Sequence, residues 1–355
     1  MNIYLSHLTA LRFWRAWSIL RPLSLREFHG MGKVASADLF PSSLYQTSMV
    51  LRDCAITDRD VCGTLDLLPK MPELRFCLRD CTDEFDAQPW HILHDDKAGV
   101  KSTALIARHR SRLDFPRGSF VRLAEGLFIC APELVFVQMA SSLSFGELLA
   151  LGYEMCGCYP RMTQKDVPLV RRPLTTPNRL IAYTTRLRGA RGAKLARTVA
   201  KQVRAKSGSV METELAAVAF TSECYGGLGI AEALINAPVA LSERARQITR
   251  SSWVVLDFYW PDAHFGIEYN GRDSHASAEQ QDRDSRKRDG LMVDGIETIT
   301  LTNSQFQDTK ECTKLLDRTS YRAGKRRRKR SEAHASVHRK LRYQVGKFHR
   351  RHFPH

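Results

Sequence analysis

The sequence predicts an α/β protein in two domains, an α+β N-terminal part followed by a C-terminal sheet flanked by helices. Three observations predict it. A chain of 355 residues is long enough for two separate cores. A hydrophobic content of 43% and a charged content of 26% are those of a globular protein and exclude a wholly disordered one. Strand-like runs rich in β-branched and aromatic residues alternate with stretches of helical periodicity along the chain.

Residues 6–19 place Leu8, Leu11, Trp14 and Trp17 at helical spacing behind Ser6, a suitable N-cap. Residues 21–100 mix short apolar runs with turn residues. The acids of 80–86 lack the alternating ligands and central glycine of a calcium loop and read as a solvated face. Residues 103–109 and 118–129 read as strands around a turn at 115–118. Pro132-Glu133 opens a helix, and 145–155 is a second. A Pro/Arg-rich linker, 168–177, leads into a stretch, 180–204, that reads as one basic amphipathic helix. Arg197, Lys201 and Arg204 recur there at four- and three-residue intervals, suited equally to phosphate contact or to a solvated face.

Ser207–Glu212 has the small polar residues and early acid of a helix start, and Gly226-Gly227-Leu228-Gly229 breaks the pattern that follows. Taken alone, Glu212 in that first turn serves only the helix dipole.

Residues 253–260 and 264–270 flank Pro261-Asp262-Ala263 and predict a β-hairpin. With Asp262 and Ala263 as a two-residue loop, cross-strand partners have numbers totalling 525, so Asp257 faces Glu268. Like charges opposed across strands are destabilising, and side-chain alternation puts Asn270 on the Glu268 face. Two carboxylates and an amide on one face predict a divalent-cation site. An acidic–basic helix, 280–291, and a strand, 297–301, complete the region.

The net charge of +16 is concentrated at the C-terminus, where 321–355 holds 13 Lys/Arg against one acid, Glu332. A cationic tail on a nearly balanced body predicts a polyanionic partner. Residues 311–355 are expected to be an unstructured nucleic-acid-binding tail around Lys325, Arg326, Arg327, Arg328, Lys329 and Arg330, with His334, His338, His349, His352 and His355 adding charge in mild acid. Nine cysteines, without CxxC spacing or a signal peptide, predict free thiols in the cytoplasm rather than zinc or disulfides. No run is long enough to span a membrane.

The ordered set Glu212, Asp257, Glu268-Tyr269-Asn270-Gly271 and His275, followed by the helix and strand just described, resembles the Vsr-like branch of the PD-(D/E)XK endonuclease superfamily. The resemblance covers about a hundred residues and implies a restriction-endonuclease-like mixed sheet over 207–310. It also implies Mg²⁺ or Mn²⁺ held by Asp257, Glu268 and Glu212, with His275 as acid/base or phosphate contact. The superfamily's lysine is replaced by Asn270, and Arg288 is a candidate backbone contact. Residues 127–159, with Leu5-Ser6-His7-Leu8-Thr9-Ala10-Leu11, resemble the AbiEi-like proteins of toxin–antitoxin and abortive-infection loci. That implies an interaction or regulatory domain over 1–167, joined by a basic segment, 168–206. The implied activity is a Mg²⁺-dependent deoxyribonuclease acting in phage defence or repair on DNA (or RNA), as a monomer or homodimer. The alternatives are a catalytically degenerate DNA-binding antitoxin, or a scaffold for a cognate toxin.

Overall fold

A computed structural model describes residues 2–19, 89–95, 101–159, 170–270, 278–324 and 330–352. His275, Gly271, Lys325–Lys329, His355 and the acids of 80–86 lie outside the described residues. The protein is mixed α/β, with each of its two sheets combining parallel and antiparallel strands. The described residues fall into two compact units. One holds 2–19, 89–95, 101–156 and 170–201; the other holds 157–159 and the described residues from Gln202 onward.

The first unit is organised on a sheet of order β3-β2-β1-β5-β4, where β1 is Ile3–Leu5, β2 Trp90–His94, β3 Ile106–Arg110, β4 Phe120–Ala124 and β5 Leu127–Cys130. The expected single strand over 118–129 is a hairpin, because Glu125-Gly126 turns the chain with Gly126 at φ 70°. Helix α1 (His7–Ile19) buries Leu11, Phe13, Trp14 and Trp17, and the Trp14 indole donates to the Cys130 carbonyl at 2.8 Å. Helices α2 (Pro132–Met139) and α3 (Phe145–Cys156) follow, α2 with its proline in the first turn. Arg15 grips the fully buried Glu154 with two bonds of 2.6 and 2.9 Å, the bidentate geometry that makes burial of both charges tolerable.

The expected basic helix over 180–204 is two helices, α4 (Pro177–Arg186) and α5 (Ala193–Ala200), separated by Gly189 and Gly192, both at positive φ. Helical spacing continued across the gap, which is why the pattern did not reveal it.

In the second unit, α6 (Val210–Phe220) precedes a sheet of order β6-β7-β8-β9: Leu234–Ala240, Trp253–Trp260, Phe265–Asn270 and Glu297–Thr302. The first three strands are antiparallel and β9 runs parallel to β8. A parallel neighbour needs a crossover, supplied by α8 (Ala278–Val293). Short α7 (Glu243–Thr249) and α8 share an apolar cluster with Val239, Val254, Leu256 and Ile296 of the sheet region.

The C-terminal segment is not an unstructured tail. After α9 (Asn303–Gln307) come α10 (Thr309–Arg322) and α11 (Glu332–His352). Helix α11 buries His338, Leu341, Val345, Phe348 and His349 at helical spacing. Arginine and lysine between these positions gave the composition its disordered look while leaving the apolar stripe intact. No helix among the described residues is long and apolar enough to cross a membrane.

Candidate active site

The hairpin register is the one expected: Phe258 pairs with Ile267, Tyr259 with Gly266 and Trp260 with Phe265. The turn differs, being four residues, Pro261–His264, with His264 at φ 43°. Lengthening the loop by one residue at each end leaves every pairing sum unchanged. The antiparallel pairs end at Phe258 and Ile267. Beyond them the Asp257 carboxylate replaces a backbone acceptor, taking the Tyr269 N–H at 2.7 Å. Strand β8 continues alone against β9, pairing Glu268 with Thr300 and Asn270 with Thr302.

Glu212 enters from the first turn of α6. Ser209 caps that helix by accepting the Glu212 N–H at 3.1 Å, and Glu212 reaches back to accept the Gly208 N–H at 2.7 Å. Asn236 of β6, itself at φ 47°, donates to the same carboxylate oxygen at 2.5 Å. The cap accounts for one side of this side chain. The other is electrostatic: Glu212 is 8% exposed, and its charge acts on Asp257 more strongly than that of Glu268.

Burial, then Glu212, then Glu268 push the Asp257 carboxyl up to about 7, against the lowering effects of the Tyr269 N–H and Lys287. Burial raises Glu212 as well, opposed by its hydrogen bonds from Gly208, Asn236 and Ser209. The structure thus brings together Glu212, Asp257 and Glu268. Asn270 is exposed at the end of β8.

Lys287, on α8, forms an ion pair with Glu268 and is the site residue that the sequence pattern passed over. It was legible in principle. Gly290 and Leu291 are the buried residues of α8, and a residue three and four positions before them shares their face. Asp284 and Arg288 are exposed, and Arg286 pairs with Asp282 along the surface.

The expected phosphate contacts are redistributed. Arg197 donates twice to the Thr184 carbonyl, at 3.2 and 2.9 Å, tying α5 to the end of α4. Arg204 pairs with Glu232 at 2.5 Å, and Arg330 with the buried Asp317 at 2.6 Å. These three are structural cations, whereas Lys201 and Arg288 are exposed. His338 is held neutral at mild acidity, its pKa lowered to about 4 chiefly by burial, so it adds no charge there.

Among the described residues no three His, Cys, Asp or Glu side chains form a ready-made metal cage. A hard divalent cation such as Mg²⁺ asks for less, taking one or two carboxylates and completing its shell with water and phosphate oxygens. Asp257 and Glu268 offer that all-oxygen donor set, and the charge that raises Asp257 is what such a cation would relieve.

A second titratable group lies in the first unit. The His7 and His109 rings stack at 3.6 Å between centroids, and His91 Nδ1 lies 2.8 Å from His109 Nε2. Burial lowers His7 to about 2 and His91 to about 4, each helped by His109, so the cluster is neutral at pH 7.

No protein-family model, curated protein or solved structure matches the chain.

Proposed function

We propose that the second unit is a metal-dependent endonuclease of the PD-(D/E)XK type that hydrolyses DNA phosphodiester bonds. The observation that carries the reading is the convergence of Glu212, Asp257 and Glu268 with Lys287, from one helix, two hairpin strands and the crossover helix. The element order α6-β6-α7-β7-β8-α8-β9, with short α7 set between the first two strands, supports the same reading.

Asp257 and Glu268 would hold Mg²⁺ or Mn²⁺, which when bound lowers the pKa of a coordinated water and offsets charge on the phosphate. Glu212, fixed by Ser209, Gly208 and Asn236, orients the carboxylate side of the site. Lys287 brings to Glu268 the positive charge that Asn270 cannot carry. Affinity for the cation should rise with pH through about 7, as Asp257 of the metal-free site loses its proton.

The test is plasmid cleavage under Mg²⁺ and Mn²⁺ titration. Glu268→Gln and Lys287→Met should each lower the rate by about a hundredfold or more, with Lys287→Arg recovering part of it. Wild-type rates in Glu268→Gln would sink the mechanism.

One observation favours a second reading, a degenerate nuclease fold that binds DNA as a regulator. Glu212 is already engaged by Gly208 and Asn236, and Glu268 by Lys287. That reading expects unchanged DNA binding in all three variants and no cleavage with either metal.

A further inference from the structure

Helix α11 has two faces of different chemistry. The inner face carries the buried Leu341, Val345 and Phe348, together with three histidines that anchor it. His334 and His338 donate to the Gly227 and Gly226 carbonyls at 2.9 and 2.7 Å, and His349 Nδ1 lies 2.8 Å from the Glu214 carboxylate of α6. The helix is thereby fixed on the body of the second unit, and its other face is turned outward.

The make-up of that outer face follows from helical pitch. At about 100° per residue, Ser336 and Tyr343 form a crest, with Arg339 and Arg350 along one flank and Lys340 and Lys347 along the other. Lys347 is half-buried and the rest are exposed, Tyr343 by 61%. Arg339, Lys340 and Arg350 hold no ion pair with a described residue. Acids on the neighbouring elements do not neutralise them: Glu214 is taken by His349, Asp317 of α10 by Arg330, and Glu223 belongs to the short turn on which the inner face rests. Glu332, the one acid of α11, stands in its first turn, roughly 16 Å before Tyr343 along the axis.

A ridge of this kind argues against two partners and fits a third. A helix that lies on a membrane inserts its apolar face, and that of α11 is buried. A protein interface needs an apolar centre, and the outer face offers Tyr343 alone. Duplex DNA supplies the matching surface: two rows of phosphates on either side of a major groove roughly 12 Å wide, which admits an α-helix. From Arg339 to Arg350 the cations run for about 16 Å along the axis, roughly five phosphate steps of one strand. We propose that the outer face of α11 seats in the major groove of a DNA duplex. Arg339 and Arg350 would meet the phosphates of one strand, Lys340 and Lys347 those of the other, and Tyr343 the base edges between them. The inference does not depend on the nuclease reading.

The test is fluorescence anisotropy of a labelled DNA duplex titrated with the full chain in chelator, at salt concentrations from roughly 50 to 200 mM. Chelator prevents cleavage, so an inactive acid cluster leaves the outcome intact. In the exposed double variant Lys340→Gln/Arg350→Gln the slope of log affinity against log salt should fall by about 2, and affinity at low salt by about tenfold or more. Tyr343→Ala should weaken binding with the slope kept. Thermal midpoints should match the wild type; if the double variant loses stability, the single variants carry the test, each lowering the slope by about 1. The same titrations with an RNA duplex of equal sequence, polyglutamate and phosphatidylserine vesicles should all give weaker binding, the RNA because its major groove is too narrow for the helix. Wild-type slope and affinity in the lysine–arginine variants would overturn the assignment. So would RNA, polyglutamate or vesicles binding as tightly as DNA.

Discussion

Replacing Asp257 by Asn should stabilise the metal-free protein, and the gain should grow with pH. The folded carboxyl is raised from 3.8 to about 7 by burial beside Glu212 and Glu268, so between those values the folded state holds a proton that the unfolded chain has released. A raised acid lowers stability as pH rises. At 1.36 kcal/mol per pKa unit, the cost of ionising Asp257 is negligible at pH 3, roughly 2 kcal/mol at pH 5 and about 4 kcal/mol at pH 8. Asparagine removes the ionisation and keeps an oxygen to accept the Tyr269 N–H. For a unit of this size that corresponds to a melting-temperature gain of roughly 10 °C at pH 8, about halved at pH 5. Thermal unfolding in chelator across pH 5–8 measures it. Adding Mn²⁺ should raise the wild-type midpoint and leave the variant unmoved. A variant no more stable than wild type at pH 8, or a gain that does not shrink on acidification, would refute the account of Asp257 as a destabilised carboxyl.

The His7–His91–His109 cluster predicts the opposite slope in the first unit. These rings have lowered folded pKa values, so the unfolded chain binds more protons below pH 6.5 and stability is lost as pH falls from there. Hydrogen exchange of β1 and β2 at pH 7 and pH 5 should show faster opening in acid, muted in a His91→Gln variant. Gly226→Ala should loosen α11, because a methyl there would lie 2.6 Å from the Val337 carbonyl and Gly226 sits at φ 91°. A loss of about 2 kcal/mol or more, with α11 the first region exposed to protease, is expected.

The hairpin was legible because its information is local. Alternation in β7 buries Val254, Leu256, Phe258 and Trp260, and a turn of any even length centred at the same point gives the same register. The cap at Ser209 was legible for the same reason. Lys287 was less visible because α8 reads as charged all round and its inner face is marked only by Gly290 and Leu291. The C-terminal helices are masked by their basic composition: Leu341, Val345 and Phe348 keep helical spacing through a run of cations. The roles of Arg197, Arg204 and Arg330 depend on Thr184, Glu232 and Asp317, partners distant enough in sequence that only the fold brings them together.

In the proposed mechanism the charge absent from Asn270 comes from Lys287 on α8, so its position depends on how that helix seats rather than on the strand. The seat is Gly290. A methyl added there would overlap Thr249 Cγ2 on α7 and meet the Ala245 carbonyl at 3.4 Å. Gly290→Ala should therefore push α8 off α7 at a cost of about 1–3 kcal/mol and draw Lys287, one turn away, from Glu268. Thr249→Ser removes the obstructing methyl while keeping the hydroxyl that donates to the Ala245 carbonyl at 2.9 Å. If the seat positions Lys287, the double variant Gly290→Ala/Thr249→Ser recovers both the melting temperature and the cleavage rate lost in Gly290→Ala. Recovery of stability without recovery of rate would separate the packing of α8 from the chemistry at Glu268 and remove Lys287 from the proposed mechanism.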